Sequence, residues 1–413
     1  MTLSLATVPP TLSTDQLLVF LAQLAGLLVL ATLAGRASVR LGFPALTGEL
    51  LVGVVLGPSV LGQLTDAQWL PGHNAGQQAL LDVVGQLGVL LLVGLTGASL
   101  DLKRVRARAT AATRVSIAGL VIPLAAGVTL GLFVPEALFK GERVTFALLL
   151  GVALAVSAIP VIARILMDLK LTEHNVGQLI LTASAFDDAV GWLLLSVVSA
   201  MASGGALLWV AGSSLGFLLL AVAFTVTVGR YLVRALMRRT ANPVATAVIL
   251  MLLCAAGANA LGFEPVFGAF LAGIMIGTDR GLEPLRVMVL SVFAPVFFVM
   301  AGLRMDLTLL AEPAVLLAGV AVLLVAVVGK VGGVYLGARL SHLHHWEAVA
   351  VGVGLNARGV IEVIVATIGV RIGVLSTAGY TVIVLVAVVT SVLAPPLLRS
   401  AVARLDAVTT TSR

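Results

Sequence analysis

Apolar runs of roughly twenty residues recur along this sequence from end to end, and that length lets a helix cross the hydrocarbon core of a bilayer. Nothing else in the sequence narrows the fold as far. The gaps between the runs are short, so no soluble domain fits among them. Only 11% of the residues are charged, where soluble domains carry about 25%. The expectation is an all-α polytopic membrane protein without a separate nucleotide-binding or regulatory domain. A formal charge of +6 does not point to nucleic acid here, because basic excess in such proteins gathers in cytoplasmic loops. The single cysteine, Cys254, lies inside an apolar run and excludes an internal disulfide. Residues 1–15 carry no Lys or Arg, and no cleavable signal is expected.

Thirteen transmembrane helices are predicted, over 16–36, 43–62, 80–99, 112–133, 144–167, 176–200, 205–229, 243–261, 264–278, 286–303, 314–338, 346–370 and 374–398. Alternate loops, starting after the first span, hold nineteen basic residues, among them Arg36, Arg40, Lys103, Arg104, Arg106, Arg108, Arg238, Arg239, Arg404 and Arg413. The other loops hold only Lys140, Arg143, Arg304 and Arg371. The positive-inside rule then places the N-terminus outside and the C-terminus in the cytoplasm. Two of the chain's 25 basic residues remain within spans, Lys330 and Arg358.

The sequence also repeats itself. LGFPALTGELLVGVVLGPS from Leu41 parallels LGFEPVFGAFLAGIMIGTD from Leu261. LTGASLDL ending at Leu102 parallels MAGLRMDL ending at Leu307, and GVALAVSAIP from Gly151 parallels GVGLNARGVI from Gly352. Apolar segments often match by chance, but these matches occur in one order at similar offsets. Residues 16–200 then form a first repeat and 243–398 a second, within a single membrane domain spanning 1–413. One linking helix, 205–229, inverts the second copy. In transporters built this way the ion site lies near the midplane, where discontinuous helices meet.

Each repeat carries a helix breaker in its fifth span. The first is Ser157-Ala158-Ile159-Pro160, where the proline lacks an N–H and clashes with the preceding turn. The second is Asn356-Ala357-Arg358-Gly359. A lone proline in a span is usually only a kink. Two aligned breakers instead predict half-helix ends facing each other at mid-depth, with open carbonyls able to bind a cation. Asp187 and Asp188 follow in the next span, although even a lenient scale charges about 2.5–3.5 kcal/mol for one carboxylate at the bilayer centre. Adjacent helical residues point about 100° apart. One of the two can therefore pair with a cation while the other faces a cavity. Lys330 has no charged residue within eight positions on either side and is the natural partner, unless it snorkels to the cytoplasmic surface. Arg358 and Glu362 are four apart and can neutralise each other on one face. Glu49 and Asp82 either line a cavity or face water near helix ends. His342, His344 and His345 cluster in a cytoplasmic loop, where a solvated loop is the plainer reading than a pH sensor.

The adjacent Asp187-Asp188, the two breakers, the isolated Lys330 and the repeat together resemble a bacterial sodium/proton antiporter of the monovalent cation:proton antiporter-2 family, across essentially the whole chain. The resemblance implies that Asp188 binds sodium and protons in turn, that Asp187 pairs with Lys330, and that Ser157 adds a hydroxyl at the first break. It implies that Arg358 and Glu362 stabilise the second break. It further implies electrogenic exchange of sodium or lithium for protons, no cofactor, no enzymatic activity and a homodimer in the bacterial inner membrane. A core of helices 112–200 and 314–398 would slide against a dimer-forming scaffold, 16–99 and 243–303, with Gly329, Gly332, Gly333, Gly352 and Gly354 packing the core. Potassium/proton exchange and sodium-coupled symport are rival readings. An intramembrane aspartyl protease needs two Asp on separate helices and is disfavoured.

Overall fold

The computed structural model describes residues 13–64, 75–99, 109–171, 174–202, 216, 220–277 and 280–411. Among the described residues the regular structure is helical, apart from one isolated antiparallel bridge between Phe139 and Leu375. In chain order the principal helices are α1 (Thr14–Arg40), α2 (Ala45–Leu56), α3 (Ala75–Ala98), α4 (Ala109–Phe133), α5 (Arg143–Ala155) and α6 (Ile159–Asp168). Then come α7 (Asn175–Ala202), α8 (Leu220–Arg239), α9 (Pro243–Ala260), α10 (Pro265–Ile276) and α11 (Glu283–Leu303). The last are α12 (Pro313–Leu340), α13 (His345–Leu355), α14 (Val360–Arg371) and α15 (Thr377–Thr411). Among the described residues ten helices are long and apolar enough to cross a membrane. An eleventh is added if α13 and α14, bent by 43° at their break, count as one span. The expected linker 205–229 and the basic run Lys103, Arg104, Arg106 and Arg108 lie wholly or largely outside the described residues, as does Arg413.

The repeated LGF is a helix stop. Gly42 and Gly262 take φ of 86° and 80°, a left-handed conformation that costs glycine nothing. Phe43 N–H then returns to Ser38 O at 3.0 Å, and Phe263 N–H to Ala258 O at 2.9 Å. These bonds satisfy the last carbonyls of α1 and α9 and turn the chain into the next helix.

Where lipid is the outer solvent, helices associate through close packing rather than hydrophobic exclusion. Gly53 of α2 and Gly302 of α11 meet backbone to backbone: a Cβ on Gly53 would lie 2.0 Å from Val299 O, and one on Gly302 2.2 Å from Leu50 O. Gly333 packs on α4 in the same way, with Ala118 O 2.6 Å from its would-be Cβ, and Gly329, Gly352 and Gly354 also face neighbours. Gly332 does not. Its would-be Cβ meets nothing within 4 Å, because it lies one helical step from the face that Gly333 presents to α4.

Polar contacts mark one end of the bundle. There Lys140 N–H bonds Val374 O at 2.9 Å, Ser59 bonds Met305 O at 2.9 Å, and Arg304 pairs with Asp82 at 2.7 Å. At the opposite end Arg114 bonds Leu340 O at 3.1 Å and Tyr335 meets His345 Nδ1 at 3.0 Å.

Candidate functional site

Both breakers interrupt their helices, and the two breaks touch. Helix α5 stops at Ala155 and α6 begins at Ile159; α13 stops at Leu355 and α14 begins at Val360. Pro160 occupies the first turn of α6, where its missing N–H is no loss, so the open segment lies before the proline rather than at it. Ala158 N–H donates to Ala357 O at 3.2 Å, and Ser157 Oγ lies 2.8 Å from Leu355 O. The two non-helical segments therefore bond to each other.

The carbonyls at the end of α5 are not left open for a transported cation, as the breaker pattern suggested. Arg358 donates to Ala153 O at 2.7 Å and to Leu154 O at 2.5 Å, and Lys330 donates to Ala155 O at 2.6 Å. Two protein cations thus occupy the negative end of a half-helix dipole. Arg358 reaches Ala326 O of α12 at 3.2 Å as well, while its distance to Glu362 is 4.0 Å. It therefore ties the second break to the first more than it neutralises its helical neighbour. Glu362 turns instead to the start of its own helix, accepting the Gly359 N–H at 2.7 Å. Ser391 of α15 donates to Arg358 O.

Asp187 and Asp188 are both fully buried in α7, yet their surroundings differ. Asp187 Oδ2 receives Lys330 Nζ at 2.6 Å and lies 2.8 Å from Ser157 Oγ. The single hydroxyl proton of Ser157 is thus shared between Asp187 and Leu355 O. Both oxygens of Asp188 are buried with no hydrogen-bond partner among the described residues. Asn356 Oδ1 and Glu362 Oε1 are also buried without a hydrogen bond among the described residues, Glu362 Oε1 having only Arg358 at 4.0 Å. The structure therefore brings Ser157, Asp187, Lys330, Asn356, Arg358 and Glu362 to one crossing. It leaves Asp188 beside them as a carboxylate that no hydrogen bond or salt bridge among the described residues engages.

A buried carboxylate without partners calls for a proton or a cation. The comparisons agree with that chemistry: residues 26–403 match the family model described as "Sodium/hydrogen exchanger, transmembrane". The chain belongs to the sodium/hydrogen exchanger family. Among curated relatives of this exchanger, the Na(+)/H(+) antiporter NhaS4 of Synechocystis sp. is 29% identical, covering 94% of this chain and 98% of its own. The Na(+)/H(+)-K(+) antiporter GerN of Bacillus cereus is 28% identical over 92% of this chain and 95% of its own. Cation/H(+) antiporter 15 of Arabidopsis thaliana is 32% identical over 85% of this chain, which spans only 44% of that longer protein. Among solved structures, the sodium proton antiporter MjNhaP1 from Methanocaldococcus jannaschii at pH 8 superposes with a TM-score of 0.66, at 16% identity over 93% of this chain and 97% of that one.

The other candidates of the exchanger chain lie away from the crossing. Asp82 pairs with Arg304 near one end of the bundle. Glu49 lines a cavity of about 530 Å³ with Arg36, Arg40 and Ser291, between α1, α2 and α11. His345 stacks edge-on against Tyr335, and the His344 N–H donates to Glu347 at the start of α13. Two polar residues escaped the sequence reading. Tyr380 of α15 donates to Ala301 O at 2.8 Å, and Glu264, buried at the start of α10, binds Ser199 and Arg371. Glu264 stands directly after an LGF stop, where the first copy of the repeat has Pro44. That mismatch was the available signal.

Proposed function

We propose that this chain is an electrogenic antiporter that exchanges sodium or lithium for protons, with Asp188 as the exchange site. The observation that carries the reading is Asp188 itself, with both oxygens buried and unpartnered beside two broken helices. A carboxylate there can hold a proton or a sodium ion, but not both at once. Competition for one site yields exchange with no further coupling device. Ser157, next to Asp187 in the same crossing, and Asn356, whose Oδ1 is unpartnered, supply further oxygens for the cation. The names of NhaS4 and GerN support a monovalent cation and a proton as substrates.

Asp187 and Lys330 supply the second proton. Sodium arriving at Asp188 weakens the Asp187–Lys330 bridge, and an unpaired ammonium in so dry a site is costly to keep charged. Lys330 then gives up its proton, so two protons move against one sodium. At 100 mV the one net charge is worth about 2.3 kcal/mol, enough to shift the supported sodium gradient by more than roughly tenfold.

The architecture in this reading has thirteen spans. These are the ten long helices, the bent pair α13–α14, the broken pair α5–α6 and the short α10, arranged as two inverted six-helix repeats. Alternating access is of the elevator type, with core 112–200 and 314–398 moving against scaffold 16–99 and 243–303. The protein works as a homodimer in the bacterial inner membrane, with its N-terminus outside. Potassium/proton exchange is the second reading, favoured by the GerN name. A solute symporter would need a cavity beside Asp188, which is fully enclosed.

The test is proton movement in proteoliposomes driven by sodium, lithium or potassium in turn, with and without a membrane potential. Sodium-driven exchange that responds to the potential in wild type and vanishes in folded Asp188→Asn is the expected result. Substantial exchange by that variant sinks the assignment of Asp188. Wild-type exchange indifferent to the potential leaves Lys330 as a structural partner of Asp187 only.

A further inference from the structure

The face of α7 that carries Asp188 continues toward the end of the bundle where Glu264 and Arg371 lie. Helical steps of about 100° bring Trp192 and Ser199 to within about 40° of Asp188's direction. Both are engaged by the same neighbour. The Trp192 ring lies 6.4 Å from that of Phe270 in α10, and Ser199 Oγ donates to Glu264 Oε1 at 2.6 Å. The eleven residues from Asp188 to Ser199 rise about 16 Å, close to half the thickness of a bilayer's hydrocarbon core. Any route from Asp188 to this face of the membrane along that stripe therefore meets first an aromatic pair and then an ionic contact.

Glu264 is placed unusually for a residue at a helix start. It occupies the position before the first turn of α10, yet its carboxylate does not cap that helix. It is only 4% exposed, and its two oxygens go to Ser199 in α7 and to the guanidinium of Arg371 at the end of α14. The Arg371 side chain is 43% exposed, so the contact sits at the border with water. In the core-and-scaffold division, Glu264 belongs to the scaffold and both partners to the core. Tyr380 to Ala301 O at 2.8 Å, at the same end, is a second tie between the two parts.

We propose that Glu264, gripped by Ser199 and Arg371, is the outer latch of this exchanger, and that it must release both for Asp188 to communicate with the outer solution. The inference rests on Asp188 as the exchange site and on the elevator reading. It adds three positioning residues that do not touch the ion. Sliding α7 and α14 past α10 cannot preserve the contacts, because both partners travel with the core while the carboxylate stays on the scaffold. Breaking them acts on the outer route, since Ser199, Glu264 and Arg371 all lie at that end of the bundle.

A sided labelling experiment tests this without depending on transport. Leu195 is buried between Trp192 and Ser199 on the same stripe. In the full-length protein, with Cys254→Ala to remove the native thiol, Leu195→Cys is exposed to a membrane-impermeant maleimide from either side of oriented vesicles. Glu264→Gln should raise labelling from the outer side about tenfold, the scale expected when a charge-assisted hydrogen bond is lost. Glu264→Asp should restore the slow rate, and labelling from the cytoplasmic side should not rise. Equal outer labelling with and without Glu264→Gln overturns the proposal. So does an equal rise from both sides, which would mean general loosening. A second variant, Ser199→Cys with Glu264→Cys, should lose exchange on oxidation and regain it on reduction. Full exchange by the cross-linked protein also overturns the latch. Should labelling behave as expected while Asp188→Asn still exchanges ions, the exchange site is wrong and the latch stands.

Discussion

The two broken helices are stabilised in opposite ways. The second break is held partly from within, since Glu362 bonds the Gly359 N–H at the start of α14 and lies three residues along the same helix. The first break has no such means. Its exposed carbonyls at Ala153, Leu154 and Ala155 are met by Arg358 from the second break and by Lys330 from α12. The second break thus has a cap of its own beside the donors that Ser157, Ala158 and Ser391 bring to its carbonyls, whereas the carbonyls of the first rest on cations from distant chain. The first can therefore form only once the two halves of the molecule have come together, and removing a residue of the second half should unravel the first.

Arg358→Gln offers the severest trial of that asymmetry. It strips the Ala153, Leu154 and Ala326 carbonyls of their cation and takes away the guanidinium 4.0 Å from Glu362, so a loss of about 3–5 kcal/mol is expected in thermal melting of the detergent-solubilised protein. A change under about 1 kcal/mol would mean the first break does not depend on the second. Lys330→Gln comes next, at about 3 kcal/mol, because it uncaps one carbonyl and leaves Asp187 unpaired. The added Asp187→Asn change should return part of that loss, which a double-mutant cycle would measure. Glu362→Gln should be milder, at about 1 kcal/mol, since the amide oxygen can still accept from Gly359. If its melting is unchanged while apparent ion affinity falls sharply, Glu362 is a ligand and not a cap. The smallest effect belongs to the glycines of α12. Gly332→Ala should be neutral or stabilising by up to about 1 kcal/mol, whereas Gly333→Ala should lower the melting temperature because Ala118 O blocks the added methyl.

Much of the fold was readable from the residues because a bilayer leaves a chain few choices. A run of apolar residues long enough to cross must be helical, since nothing in the hydrocarbon can satisfy open backbone groups. For that reason most of the described helices fall close to the predicted runs, though α8 runs on to Arg239 where a span ending at 229 was expected and α15 runs on to Thr411, and both breakers interrupt their helices where polar or cyclic residues stand. The pairing of Lys330 with one of the two aspartates was also open to reasoning, because an isolated intramembrane cation has few acceptable partners. What each break does with its open groups was less accessible. Arg358 and Glu362 have the spacing of a local pair, and spacing cannot reveal that Ala153 O and Leu154 O lie nearer to the guanidinium. Glu264 escaped for a related reason. As a carboxylate just after a helix stop it looks like a solvated loop residue, and only the arrival of Ser199 and Arg371 from other helices makes it a buried contact.

The sequence by itself determined that this chain lives in a membrane, where its helices run and stop, and that acids and bases would be forced to meet inside it. Those outcomes follow from local physics: hydrophobic length, the left-handed turn that glycine accepts at Gly42 and Gly262, and the cost of a bare charge in lipid. The tertiary structure alone decided which of the two adjacent aspartates is held by Lys330 and which is left with empty oxygens. Both sit on one helix about 100° apart, so the choice is made by the direction in which α7 is rotated against its neighbours. That rotation is set by packing between residues far apart in the chain, which no short stretch of sequence encodes.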